Sequence, residues 1–278
     1  MVPVLRNNQV IATVTPSRNE VPRMNEQEAY QMLAGRLGIK PEMLPYTIEL
    51  CQDNTIINPL LPETAARLGR IMELRPGQKI LDLACGKAGV TLPLVRTYKV
   101  ELLGIDLLQD LVREAWSRAE YTGLYDKCDF KRGDAAAFVA GTKRQWDGVF
   151  ILGALTYIWD GLEAGLAAVR PLVAPGGHLV VGEGYLREDA EAQDDQQFPT
   201  KKEITVRLEG LGRVVEILDD GAAGWEAYWE PQRTAMARLR EDLAGDNLIL
   251  TEFLDGWEET MAWEQANLGF AVWVVKVD

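Results

Sequence analysis

Histidine is almost absent from this 278-residue chain, which has only His178. That excludes metal centres built on several imidazoles and confines histidine acid–base chemistry to one position. Cysteine is scarce too. Cys51, Cys85 and Cys128 are odd in number and scattered, which argues against a disulfide framework and against a cysteine-built zinc site. No metal is expected. No stretch approaches the ~18–20 apolar residues of a membrane span, and Met1–Asn25 lacks the apolar core of a signal peptide. The expectation is a cytoplasmic protein without membrane contact. An excess of positive charge is also missing. Residues 1–182 carry 20 basic and 20 acidic side chains, whereas 183–278 carry 9 and 22, so the net charge of −13 lies wholly in the last third. A polynucleotide must be met by Lys and Arg that displace its counterions, so nucleic acid is not an expected partner.

What is present is the composition of a folded chain, 47% hydrophobic and 26% charged. Residues 1–24 read as an N-terminal arm. Residues 25–77 read as a helical cap: Asn25 and Glu28 suit a capping box, Gly38 can end that helix, a second follows Pro41, and a third starts at Pro62. From Gln78 short apolar strands alternate with helices. The strands are placed at Lys79–Ala84, Val100–Ile105, Asp129–Arg132, Asp147–Leu152 and His178–Val181. This alternation predicts an α/β fold built on an open parallel sheet with helices on both faces. A further strand is placed at Arg213–Leu218. Residues 221–269 are helical in pattern, and a last strand is placed at Ala271–Val277. The core is thus expected over 78–278, with 221–269 as a helical insertion before the last strand.

The strongest chemical signal is Asp82-Leu83-Ala84-Cys85-Gly86-Lys87-Ala88-Gly89. A strand ends in an acid, and a small-residue turn then opens a helix, where backbone can lie against a ligand. Gly104-Ile105-Asp106 puts an acid at the next strand end, 20 residues beyond Gly86, where it can accept the hydroxyl hydrogens of an adenosine ribose. Gly133-Asp134-Ala135 puts another after the third strand, within reach of an adenine amino group. Each acid alone reads equally well as a helix cap. Three such features converge on one sheet edge, where ligands of open α/β sheets bind.

These segments, with Trp146-Asp147-Gly148-Val149-Phe150 and Pro175-Gly176-Gly177-His178, resemble the class I S-adenosylmethionine-dependent methyltransferases. A narrower likeness is to a poorly characterised bacterial group with a helical insertion before the last strand. The resemblance implies a Rossmann-like, seven-stranded doubly wound sheet with the last strand antiparallel, and S-adenosylmethionine as cofactor, with S-adenosylhomocysteine as product. It implies that Asp82, Ala84 and Gly86 line the methionine part, Asp106 and Leu107 the ribose and adenine, and Asp134 and Ala135 the adenine edge. Leu152 and Gly153 would pass under the sulfonium. Tyr157, Glu183 and Tyr185 would face the acceptor. Ala84 and Ala88 depart from the glycines common in that family, but both are small.

The expected activity is methyl transfer to a small molecule, with the N-terminal helices and the insertion closing over the site as a lid or a fixed subdomain. Five of the eight tryptophans lie in the acidic last third. Aromatic faces with carboxylates suit a cationic acceptor, although the same charge also reads as a solvated surface. Three alternatives stand beside this expectation: binding of S-adenosylmethionine without turnover, methylation of a protein side chain, and a nicotinamide dehydrogenase. The last lacks a Tyr-x-x-x-Lys pair and has Asp82 where a pyrophosphate would lie. His178, at a strand start, reads as structural, and Cys85 as a small buried thiol.

Overall fold

Strand β1 (Lys79–Leu83) is apolar on both faces because both are covered, as parallel strands require. Ile80 packs into one hydrophobic layer, and Leu81 and Leu83 into the other. The computed structural model describes residues 5–6, 9–10, 24–190, 198–242 and 247–278. In it β1 is joined by β2 (Glu101–Asp106), β3 (Cys128–Arg132), β4 (Trp146–Leu152), β5 (Val173–Leu186), β6 (Arg213–Asp219) and β7 (Leu268–Lys276). The sheet has seven strands in the order β3-β2-β1-β4-β5-β7-β6. The first five are parallel, and β7 is antiparallel to both β5 and β6. The order reverses between β1 and β4, which opens a crevice at their carboxyl ends.

Helix α1 (Glu26–Leu37) starts at the Asn25–Glu28 capping box and ends at Gly38, whose φ of 67° is left-handed. It is followed by α2 (Leu44–Leu50) and α3 (Pro62–Ile71). Between the strands run α4 (Thr91–Tyr98), α5 (Gln109–Tyr121), α6 (Ala135–Gly141), α7 (Leu155–Ile158), α8 (Gly161–Val169) and α9 (Lys201–Glu209). The layer over Ile80 takes Leu68 of α3, Leu94 of α4 and Val112 of α5. The opposite layer takes Phe138 of α6, Leu166 of α8 and Ile204 of α9.

Between β6 and β7 stand α10 (Gly221–Asp242) and α11 (Leu248–Asn267). Their Trp229 and Phe253 belong to the same buried layer as Ile80 and Leu68. Helix α10 lies so close to the loop after α2 that a Cβ on Gly224 would fall 2.5 Å from the Pro59 carbonyl oxygen. Asn54 donates to the Tyr228 carbonyl at 2.9 Å. Asp220 accepts from the Leu61 amide at 2.7 Å and from the Thr64 hydroxyl at 2.6 Å.

Two boundaries differ from the sequence reading. The fifth strand, expected at His178–Val181, spans Val173–Leu186. Antiparallel pairing with β7 carries it out to Leu186 opposite Leu268, and pairing of Val173 with Trp146 starts it before the Gly176-Gly177 pair. The last strand accordingly starts at Leu268 and not at Ala271. The N-terminal arm lies outside the described residues, apart from an antiparallel pairing of Leu5–Arg6 with Gln9–Val10.

Candidate active site at the carboxyl edge of the sheet

The turn after β1 is built from left-handed residues: Ala84, Gly86 and Ala88 have φ of 56°, 53° and 54°. Alanine bears a cost in that region that glycine does not, and such strain concentrates at functional sites. The turn is tied to the next strand end. The Cys85 amide donates to the Ile105 carbonyl at 3.0 Å. The Gly86 amide donates to Asp106 Oδ2 at 2.8 Å, and the Leu108 amide to Oδ1 at 2.9 Å. A carboxylate has about four lone-pair sites, so Asp106 keeps about two for a ligand. Burial raises its pKa against the lowering effect of these amides.

Lys87, not singled out from the sequence, pins this turn from behind. Its side chain is 2% exposed and pairs with Glu114 of α5 at 3.3 Å. It also donates to the Cys51 carbonyl at 3.1 Å and to the Gln52 carbonyl. Gly89 completes the junction: a Cβ there would fall 2.0 Å from the Thr55 carbonyl oxygen. The cap loop is therefore seated on the turn.

A cavity of about 350 Å³ opens beside Ala84, Asp106, Leu107, Ala135 and Gly153, within the ~300–1,000 Å³ usual for ligand sites. It extends beneath Leu44 and Ile48 of α2 and beneath Trp225, Tyr228 and Trp229 of α10. Its walls are mostly apolar, and its charged lining residues are Arg36, Asp106, Glu183 and Glu264.

The expected site residues are not all gathered there. Asp82, Gly86 and Leu152 line a small adjoining recess of about 40 Å³, together with Ala84. Asp82 accepts from the Thr91 hydroxyl at 2.6 Å, and burial pushes its pKa up to about 7. Asp134 is turned to other work. Arg36 of α1 holds it at 2.8 Å, and it caps α6 by accepting from the Ala137 amide at 3.2 Å. Its neighbours Gly133 and Ala135 are the ones that line the cavity.

On the acceptor side, Tyr157 lines the cavity, and burial, Glu264 and Glu183 together push its hydroxyl up to about 12. It is thus a proton donor and no base near neutrality. Glu183 lines the cavity but is spent on α7: it accepts from the Leu155 and Thr156 amides at 2.9 and 3.3 Å and from the Thr156 hydroxyl at 3.2 Å. Burial raises its pKa to about 7. Tyr185 is a correction. Its hydroxyl donates to Asp219 at 2.6 Å, its ring meets Trp273 edge-on at 6.5 Å, and it is absent from the cavity wall. It belongs to the opposite layer of the sheet.

His178 sits opposite Gly148 and Lys276 at the far end of the sheet, with its pKa lowered by burial and by Lys276. The three cysteines are buried, and burial raises every thiol. Among the described residues no helix is long and apolar enough to cross a membrane, and no cluster of three metal-ligating side chains is found.

Residues 80–177 match the family described as a methyltransferase domain. The solved S-adenosylmethionine-dependent methyltransferase of Geobacter sulfurreducens, in complex with S-adenosylhomocysteine, is 25% identical and covers 84% of this chain and 97% of its own, with a TM-score of 0.75. YjhP of Escherichia coli, an uncharacterized protein, is 29% identical over 199 residues, 68% of this chain and 79% of that protein. Sterol 24-C-methyltransferase ERG6B of Gibberella zeae is 27% identical over 158 residues, 55% of this chain and 40% of that protein. The dehydrogenase alternative falls, and the cofactor is S-adenosylmethionine. By its sheet order, its turn after β1 and these likenesses, the chain carries a methyltransferase domain over residues 80–177 and is similar throughout its sheet to solved S-adenosylmethionine-dependent methyltransferases.

Proposed function

We infer that the chain methylates a small molecule held in the far part of the cavity, with the cofactor at the sheet edge. The observation that carries this reading is the continuity of the space: one cavity runs from Asp106 and Gly153 to Trp225, Trp229 and Trp257. An acceptor of modest size and largely apolar surface fits it. The likeness to a sterol methyltransferase is compatible with such an acceptor.

The residues fit the cofactor. Asp106 has unused acceptor sites for two ribose hydroxyls, Ala84 and Gly86 leave room beside the turn, and Gly133 and Ala135 flank the adenine position. When bound, S-adenosylmethionine supplies a methyl group on an already activated sulfonium. The chain's share is alignment and exclusion of water, and alignment alone is worth up to roughly 7–11 kcal/mol in good cases. Glu183 positions Tyr157 by capping the start of α7. The cap and the α10–α11 insertion act as a fixed roof, fastened by Asn54, Asp220 and the Lys40–Glu252 pair at 2.6 Å. The acidic excess of the last third is largely turned outward on this roof. Glu226 and Glu230 pair with Arg233, and Asp255 and Glu258 with Arg240.

The test is an acceptor panel of small amines, phenols, sterol-like alcohols and basic peptides, read by release of S-adenosylhomocysteine. Turnover of a small molecule is expected. Turnover confined to the peptides would move the acceptor from the cavity to the surface.

A further inference from the structure

We propose that Glu264 is the counter-ion of a cationic amine acceptor lodged against the aromatic roof of the cavity. This rests on the small-molecule reading above and names its substrate class. The four charged residues that line the cavity differ in one respect. Arg36 is occupied by Asp134, Asp106 by two backbone amides, and Glu183 by the start of α7. The Glu264 carboxyl has no hydrogen bond and no ion pair among the described residues. An unpaired carboxylate in an apolar wall is costly, and proteins keep such groups where a ligand compensates them.

The surroundings define the ligand. Glu264 lies within electrostatic reach of the Tyr157 and Tyr228 hydroxyls, raising the pKa of both. The same cavity is walled by Trp225, Tyr228, Trp229 and Trp257, with Trp225 stacked on Trp229 at 5.9 Å. Ring faces attract a cation, most of all when it is desolvated. A carboxylate that shares one cavity with these aromatic side chains therefore selects an ammonium group over a neutral or anionic one.

Burial raises the Glu264 carboxyl to about 7. Its charged fraction then rises between pH 6 and 8, and cation binding should rise with it. The other titratable groups around the cavity are Tyr157, Tyr228 and Cys51, which stay protonated across that range, together with Glu183 and Asp106. Glu183 also titrates near 7, so a residual pH dependence is expected when Glu264 is neutralised.

The experiment uses the full chain saturated with S-adenosylhomocysteine and reads tryptophan fluorescence. The probes are benzyltrimethylammonium, whose charge does not titrate, and its neutral isostere neopentylbenzene. The cation should bind about tenfold tighter or more at pH 8, and its affinity should fall at pH 6. Glu264→Gln should remove most of that preference while leaving S-adenosylhomocysteine affinity and melting temperature near wild type. Glu259→Gln, an exposed carboxylate of the same helix, should retain the preference. The pH series needs no variant and stands if Glu264→Gln folds poorly. Equal binding of the two probes by the wild type, or a preference retained in Glu264→Gln, would overturn the role of Glu264 and leave the small-molecule reading standing. Failure of both probes to bind while S-adenosylhomocysteine binds would overturn both.

Discussion

At the sheet edge, Asp106 and Asp134 accept hydrogen bonds from this chain's own amides, and Asp134 also holds Arg36. Under the roof, the Glu264 carboxyl has no such partner among the described residues, and the Trp225 and Trp229 indole nitrogens find no hydrogen bond there. The two ends of one cavity thus differ in who satisfies their polar groups. The cofactor end is preorganised, as a site for a constant ligand should be. On the proposed function, the acceptor end leaves donors and an acceptor for whatever enters, and specificity would reside there. The roof is nonetheless packed like a core, which separates unsatisfied polarity from looseness.

That distinction can be broken at Trp229, which is 2% exposed and packs on Trp225, Tyr228 and Trp257. Trp229→Ala should cost about 3–5 kcal/mol of unfolding free energy, measured in denaturant, as for other buried aromatic truncations. A loss under about 1 kcal/mol would mean that the roof is a separable lid. At the other end, Asp106→Ala should weaken S-adenosylmethionine binding by about 1.5–3 kcal/mol, the worth of hydrogen bonds to a charged group. Calorimetric titration reads it directly. Unchanged affinity would remove Asp106 from the site.

The contrast also explains what could be read from the chain. Strand ends, the small-residue turn and Asp106 were legible because local pattern dictates them: the apolar run of β1 needs two covered faces, and its terminal turn needs small residues. The fate of Asp134 was not, since Arg36 reaches it from 98 positions away. Tyr185 shares a face of β5 with Glu183, yet its ring crosses over Gly269 of β7 and its hydroxyl reaches Asp219 at the end of β6. Glu264 carried no signal at all. On α11 it is one acid among several, and only the approach of α7 and α10 makes it the one that lines the cavity.

The smallest expected effect compares the two ends through pH. Asp82 and Glu264 are both raised to about 7 by burial, but Asp82 has Thr91 as a partner. An unfolded Asp titrates near ~3.9, so the folded protein binds the Asp82 proton more tightly than the unfolded chain does. The resulting stabilisation is complete below the unfolded value and is lost as pH rises through the folded one. Between pH 6 and 8 the loss from such a group is on the order of 1 kcal/mol. Glu183 and Glu264 add losses of the same sign. Asp82→Asn keeps an oxygen for the Thr91 hydroxyl and cannot ionise, so its denaturation midpoint should fall less between pH 6 and 8 than that of the wild type. If the two slopes coincide, Asp82 is ionised throughout that range, and the proton resides instead on the carboxylates nearer the roof.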